Sequence, residues 1–198
     1  MPTTTIHLAG QVVGCTEISA AAAHCKFWVV ADQRLWRRIE GADEGTSHSD
    51  EPGDGGMIVF QHPVDVAYEA LEDRSLPEPS QREWPRVEVE VRFRDAAGRS
   101  DLAGYGVVRV PPRPGVHELS CRIWRPKGTI GDRIAAFFIG GNPHLKSDAL
   151  RYGLTDENDH GAQRLMRAVG RQRITSVPSG VVHMSIGVIM RTQIDPDE

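Results

Sequence analysis

Cysteine is scarce in this chain, with three residues in 198. An odd number of widely spaced cysteines argues against a disulfide framework and indicates a reducing compartment. No apolar run approaches the ~20 residues that a membrane-spanning helix needs. The first residues have neither the charged nor the apolar region of a secretory signal peptide. We therefore expect a soluble, intracellular protein.

The motifs of common enzyme classes are also missing. The chain has no G-x-S-x-G sequence, and its eight histidines are scattered over predicted loops and strand ends. Residues 53–56 are rich in glycine but lack the Lys-Ser/Thr pair and the helix of a phosphate-binding loop. Asp65 is an isolated carboxylate of the kind that more often caps a turn. We therefore predict no catalytic residue and no cofactor.

The charge balance argues against one class of partner. Lysine and arginine number 23 against 27 aspartates and glutamates, which gives a formal net charge of −4. A protein that attracts nucleic acid through its overall field is strongly basic. We expect no nucleic-acid partner, so an anionic partner would have to contact a local basic cluster.

Short alternating segments are what the sequence has in abundance. In residues 86–94, arginine or glutamate alternates with Val87, Val89, Val91 and Phe93. Successive side chains of a strand point to opposite faces, so this segment predicts one apolar face and one solvated, charged face. Such strands are typical of a two-layer antiparallel sandwich.

Similar segments recur along the chain. They predict strands over 5–14, 24–31, 57–60, 64–70, 86–94, 103–110, 116–124 and 181–191, with a further short strand or turn over 32–40. Gly10 and Gly14 interrupt the first of these patterns. The acidic, glycine-rich residues 41–56 lack periodicity and predict a solvated loop. About eight short strands separated by turns indicate an all-β, antiparallel β-sandwich.

Two groups of residues have some of the side chains that bind metal ions. The first is Cys15, His24 and Cys25, but structural zinc needs paired ligands such as C-x-x-C. The alternation of Cys25 with Phe27 favours a position in the core over a zinc site.

The second group resembles an incomplete calcium loop. Asp95 and Asp101 flank Gly98 at the spacing used by calcium-binding loops of C2 domains. Calcium takes six to eight oxygen ligands. Phe93 stands where that pattern has another aspartate, and the loop 15–23 adds only Glu17. We therefore predict no metal site.

The interval 127–180 departs from the strand pattern and predicts a helical insertion before the last strand. Within it an apolar stripe recurs at i, i+4, i+7 and i+8: Ile130, Ile134, Phe137 and Phe138. Such a stripe marks a helix face that packs on the sandwich or binds a partner.

The same interval holds a basic cluster in and after a second predicted helix, over 159–169. Its members are Arg164, Arg167, Arg171 and Arg173. Opposite an anionic membrane each charge would contribute ~1 kcal/mol, and the alternative is an ordinary solvated face.

The large apolar residues predict an exposed patch. Trp28, Trp36 and the apolar stripe of the insertion exceed what the charged strand faces can hide. Exposed patches larger than a few hundred Å² mark partner surfaces. The sequence therefore predicts an apolar region that a partner covers.

In order along the chain, these residues resemble the B9 domain family of C2-like proteins. The resemblance rests on residues 10–14, 25–27, 36, 44–45, 62–65, 84–85, 93–98, 102–106, 111–115, 119, 121, 124–126, 138–143 and 181–191. It assigns residues 4–191 to one domain that includes the insertion, with a short acidic tail over 192–198. The segments 41–56 and 155–173 are longer here than in the family pattern.

The resemblance implies a C2-like sandwich and a non-enzymatic scaffold. It also implies assembly with two other B9 domain proteins, within the network of tectonic and Meckel-syndrome proteins that gates entry to the cilium. The implied location is the cytoplasmic side of the cilium base, at the basal body and transition zone. C2-like ancestry gives the alternative function, which is calcium-independent binding to an anionic membrane.

Overall fold

The computed structural model describes residues 3–71, 84–94, 98–127 and 176–193, and within these ranges all regular structure is β-strand. The strands are β1 (Thr3–Thr16), β2 (Ala22–Val30), β3 (Trp36–Ala42), β4 (Glu44–Thr46), β5 (Ile58–Ala70), β6 (Arg86–Arg94), β7 (Ser100–Arg109), β8 (Gly115–Pro126) and β9 (Ser176–Gln193). Neighbouring strands are antiparallel throughout. The predicted all-β antiparallel class is confirmed, with nine described strands in place of about eight.

The nine strands form one hydrogen-bonded sheet in the order β3-β5-β1-β9-β8-β7-β6-β2-β4. The junction between β8 and β7 is a single paired position, Tyr105 opposite Trp124. The hydroxyl of Tyr68 in β5 donates to the carbonyl of Val29 in β2 at 3.1 Å, although these strands are not neighbours in the sheet. The sheet therefore doubles over, and a layer of β3-β5-β1-β9-β8 faces a layer of β7-β6-β2-β4.

The core lies between these layers and is filled mainly by alternate residues of the longer strands. Strands β1 and β9 supply eight apolar side chains that are at most 2% exposed: Ile6, Leu8, Val12, Cys15, Val182, Met184, Ile186 and Val188. Cys25 and Phe27 of β2 belong to the same cluster from the opposite layer. The alternation predicted for these strands is confirmed.

The charged face of β6 is not solvated, and that prediction is wrong. Glu88 and Glu90 are only 5% and 8% exposed. Arg86 pairs with Glu88 at 2.8 Å and Arg92 with Glu90 at 3.2 Å, so both buried carboxylates have cationic partners. On the same sheet Tyr105 is fully buried in a second, smaller apolar cluster with Leu102 and Trp124. Pairing with arginine is what makes burial of the two glutamates tolerable.

Residues 41–56 are not simply a loop. Strand β3 extends to Ala42 and β4 follows after Asp43, which is where the chain passes from one layer to the other. The N–H of Val29 donates to the carbonyl of Asp43 at 2.6 Å. Gly41 adopts φ of 80°, and a Cβ there would lie 2.1 Å from the carbonyl oxygen of Asp65. The sequence pattern is weak here because β3 is exposed and β4 has three residues.

The two strands predicted over 57–60 and 64–70 are one strand, β5. It runs through Pro63, which pairs with Gln11 of β1. The pairing of β3 with β5 ends at Asp65, so no described strand pairs with the other side of β5 at Pro63. A proline is tolerated there because its missing N–H would have had no strand partner.

Strand β9 begins at Ser176, inside the interval assigned to the insertion. Pro178 and Gly180 are part of the strand and pair with Trp124 and Ile123 of β8. The predicted boundary at 180 is therefore too late by five residues, since β9 already includes Ser176. The predicted helices lie in 128–175, outside the described residues.

Candidate partner-binding site

The two residue sets predicted to bind partners cannot be placed. Ile130, Ile134, Phe137 and Phe138, and likewise Arg164, Arg167, Arg171 and Arg173, lie outside the described residues. Partner binding by the first set and lipid binding by the second stay predictions. Among the residues that the structure does describe, no helix has the length and apolarity needed to cross a bilayer.

The partial calcium motif is also only partly described. Asp101 lies opposite Phe93 across the β6–β7 pair, and Asp95 falls outside the described ranges. One carboxylate oxygen of Asp101 accepts a hydrogen bond from the N–H of Leu102 at 2.7 Å. Within the described part of the chain, no three histidine, cysteine, aspartate or glutamate side chains converge on a point that could hold a metal ion.

The three thiols are core groups. Cys15, Cys25 and Cys121 are at most 6% exposed. Burial raises the pKa of Cys15 to about 12 and that of Cys121 to about 11. It also raises the pKa of Cys25, with a further contribution from the neighbouring thiols. His24 belongs to the opposite face of β2 from Cys25, so the prediction that Cys25 is a core residue is confirmed.

We predict that none of these thiols reacts in the folded protein. At about pH 8 a free cysteine with its ordinary pKa is partly thiolate and reacts readily with a disulfide reagent such as DTNB. The raised pKa values keep these thiols protonated, and their burial keeps the reagent away from the sulfur atoms. Labelling should therefore proceed at the rate of unfolding and become rapid in denaturant. Rapid reaction of one native thiol would show that its strand opens locally.

The described sheet has two edge strands, β3 at one end and the three-residue β4 at the other, and β3 is the longer. Strand β3 pairs only with β5 among the described strands, and all of its residues after Trp36 are exposed. Ile39 lies at an irregularity in the β3–β5 register and is 50% exposed. An edge strand presents a row of N–H and C=O groups that another strand can pair with. We call β3 with this free side the open edge.

A cavity lies beside the open edge. It has a volume of about 650 Å³ and lies between the end of β2 and the start of β3. Its walls include Trp28, Val30 and Ala31 on one side and Tyr68 and Leu71 on the other. Leu71 is 48% exposed. This edge cleft falls within the 300–1,000 Å³ range of ordinary ligand pockets and is accessible from solvent.

Polar contacts hold the walls of the edge cleft in place. Trp28 Nε1 donates to a carboxylate oxygen of Glu44 at 3.1 Å, and Lys26 Nζ lies 4.8 Å above the Trp28 ring. The Tyr68 hydroxyl that joins β5 to β2 is shielded from water, and burial raises its pKa to about 12. Tyr68 therefore stays neutral and keeps donating throughout the physiological range. The cleft is preformed.

The prediction that Trp28 and Trp36 are exposed is wrong for Trp36 and only partly right for Trp28. Trp36 is 5% exposed and packs edge-on against Trp84, with ring centroids 5.4 Å apart. Trp28 is half-buried against the smaller apolar cluster. Sequence reasoning missed Ile39 and Leu71, because their exposure follows from the position of β3 at an edge. The one local signal was the mixture of Ile39 with charged neighbours.

Comparison with known proteins gives three kinds of match. A family model described as "Ciliary basal body-associated, B9 protein" matches residues 6–189. B9 domain-containing protein 2 of Rattus norvegicus and that of Homo sapiens are each 32% identical over 186 residues, which cover 94% of this chain and 93% of theirs. B9 domain-containing protein 1 of Xenopus laevis is 23% identical over 143 residues, or 71% of this chain and 68% of that protein. A C2 domain of a plant extended synaptotagmin 1 aligns at a TM-score of 0.40 and 9% identity, over 98% of this chain and 99% of that one.

Proposed function

This chain belongs to the B9 family of C2-like, ciliary basal body-associated proteins, and we propose that it is a non-enzymatic scaffold subunit there. It assembles with two other B9 domain proteins, and through them with the tectonic and Meckel-syndrome proteins of the transition zone, on the cytoplasmic side. The observation that supports this function is the family match over residues 6–189. The similarity to two differently named B9 proteins is consistent with an assembly of related sandwiches.

The open edge and the edge cleft are the surface that we assign to this assembly. A partner strand that pairs with β3 would gain main-chain hydrogen bonds, and its side chains would enter the adjoining cleft. Peptide recognition by strand addition combines these two contributions, because backbone pairing gives affinity and side-chain pockets give specificity.

The chemistry of the edge cleft indicates what a partner strand must carry. Apolar surface from Trp28, Val30 and Leu71 suits one large apolar side chain. Burying such a side chain contributes ~1.5–3 kcal/mol. The charged residues that line the cleft already have partners in this chain: Arg38 pairs with Asp43, Arg37 with Glu69, and Glu44 accepts from Trp28 Nε1. The partner segment is therefore an extended strand with an aliphatic or aromatic residue at the position facing the cleft.

We predict that Ile39→Asp weakens assembly with the two other B9 proteins by tenfold or more. A carboxylate at this point of β3 would lie against the incoming strand, and a tenfold loss corresponds to about 1.4 kcal/mol. The measurement is the yield of a three-protein complex after co-expression and affinity purification through this chain. The matched control is Ile189→Asp, because Ile189 is similarly exposed, at 57% against 50%.

The two variants separate the outcomes. Retention of both partners by Ile189→Asp, with their loss from Ile39→Asp, supports the assignment of the open edge. Equal retention by both variants would contradict that assignment while leaving the scaffold function in place. Failure of the unaltered chain to recover either B9 protein would contradict the function itself.

A further inference from the structure

The outward surface of the β5-β1-β9-β8 strands carries the two most exposed large apolar residues among those described. Val116 in β8 is 76% exposed and Ile189 in β9 is 57% exposed. Val116 pairs with Gly187 of β9, so Ile189 is its diagonal neighbour on the same face. We call this surface, centred on Gly187, the outer face. It is on the other side of the layer from the core, because Ile186 and Val188 point inward.

Large and small residues alternate in rows across the outer face. His7 of β1 pairs with Ile189 of β9, and both side chains project from the sheet. In the next row Ala9 pairs with Gly187, and neither rises far above the backbone. A ridge therefore lies beside a groove on the same two strands. Such a surface fits a second copy of itself that is rotated by 180°, because the ridge of each copy then faces the groove of the other.

Charges of opposite sign mark the two ends of the outer face. Arg191 of β9 is exposed and pairs with Thr5, one row beyond Ile189. Glu118 of β8 pairs with Ser185 of β9, one row beyond Gly187. The Ser185 hydroxyl donates to a carboxylate oxygen of Glu118 at 2.7 Å and orients it. Six residues of strand separate the two ends, or about 20 Å.

We propose that the outer face binds a second copy of this chain. A two-fold axis that lies across the strands, between the row of Ile189 and the row of Gly187, exchanges the two rows. Ile189 of each copy then lies over Gly187 of the other. The same axis brings Arg191 of each copy towards Glu118 of the other, so the dimer contains two identical ion pairs. Sheets pack face to face in this way at about 10 Å.

The size of the outer face sets the strength of the dimer. Four strands at their usual spacing and seven residues along each cover about 450 Å² per copy, or about 900 Å² in total. Interfaces below about 1,200 Å² are weak and transient. The self-association is therefore one that forms at high local concentration, as when several copies are held at one structure.

The test is sedimentation velocity of the full chain, alone, over a range of concentrations. Arg191→Glu should raise the dimer dissociation constant by tenfold or more, because two like-charge pairs replace two ion pairs. Glu118→Arg should do the same. An equimolar mixture of these two variants should associate as the unaltered chain does, since each mixed dimer contains only opposite charges. The double variant should also associate with itself.

This reciprocal rescue is specific to the proposed arrangement. A face that associates with other copies without this pairing of Arg191 and Glu118 could lose association in the single variants but would not regain it on mixing. Ile189→Asp should abolish the dimer, whereas Ile39→Asp should leave it unchanged. Thermal unfolding of each variant checks that the fold is intact, and all four positions are exposed.

Two results would overturn the proposal. One is a chain that sediments as a monomer at every concentration, and the other is a mixture of the two charge variants that stays monomeric. Neither result bears on assembly with other B9 proteins, because those proteins are absent from the experiment. Conversely, loss of that assembly in Ile39→Asp leaves the dimer untouched.

Discussion

Replacing Gly10 with alanine is expected to lower the free energy of unfolding by about 3 kcal/mol, at the upper end of the range for overpacking. Gly10 lies in the middle of β1 and pairs with Val64 of β5 and Ile186 of β9. A Cβ at this position would lie 2.0 Å from the carbonyl oxygen of Ser185 and 2.9 Å from Ile186 Cα. Both are backbone atoms of the neighbouring strand, so β1 and β9 must separate locally to admit the methyl group.

Chemical denaturation of Gly10→Ala and of the matched variant Gly55→Ala measures this effect. A Cβ at Gly55 would have no atom within 4 Å, so alanine there should be nearly neutral. Gly10→Ala should shift the midpoint strongly without a large change in the slope. Equal midpoints for the two variants would mean that β1 and β9 are farther apart than the structure places them.

Phe60→Ala is expected to cost about 3–5 kcal/mol, the usual range for truncating a buried phenylalanine. Phe60 in β5 is fully buried in the core between the layers. Removing its ring takes apolar surface out of the core and leaves a cavity that the two hydrogen-bonded layers can close only in part. The loss is comparable with the whole stability of many small domains.

Phe93→Ala is the matched control, because Phe93 only partly packs against the core at the end of β6. It should cost less than half as much as Phe60→Ala in the same denaturation assay. A larger loss from Phe93 would mean that the loop end of the sandwich, and not its centre, limits stability.

The sequence alone was sufficient to predict the strands in which one face is apolar and the other is not. The alternation in β1 and β9 predicted the buried side of each, since Leu8 and Ile186 are buried and their chain neighbours are only partly buried. Gly10 was misread as an interruption of β1. It is part of the strand, and its missing side chain allows the backbone of Ser185 to approach closely. Ser185 follows Gly10 by 175 residues (185 − 10), so the local sequence pattern does not indicate this contact.

The features that sequence did not predict depend on contacts between distant strands. Glu88 is buried although it alternates with the core residues of β6, and local alternation does not distinguish a covered outer face from a solvated one. Strand β4 has too few residues for a periodic pattern. The edge cleft exists because β3 and β4 are at opposite ends of one sheet order, which is a property of topology.

The same reasoning explains how much of the candidate site was accessible from sequence. Composition and missing motifs favoured a binding protein over an enzyme, and the order of short motifs indicated the family. The surface that includes Ile39 and Leu71 could not be predicted, because neither residue stands out from its neighbours in the sequence. Their significance comes from the absence of a further strand beside β3 in the described structure.

The position of β9 has a consequence for synthesis of the chain. Strand β9 is not at an edge, since it lies between β1 and β8, and Thr5 pairs with Arg191, 186 residues later (191 − 5). The ribosome adds about 5–20 residues per second. Strand β1 therefore cannot pair with β9 until nearly all of the residues before β9 have been synthesised. Until then β1 and β8 both have exposed ladders, a state that invites capture by a chaperone. A premature stop codon before position 176 would remove an interior strand of the layer and leave β1 without its pairing to β9.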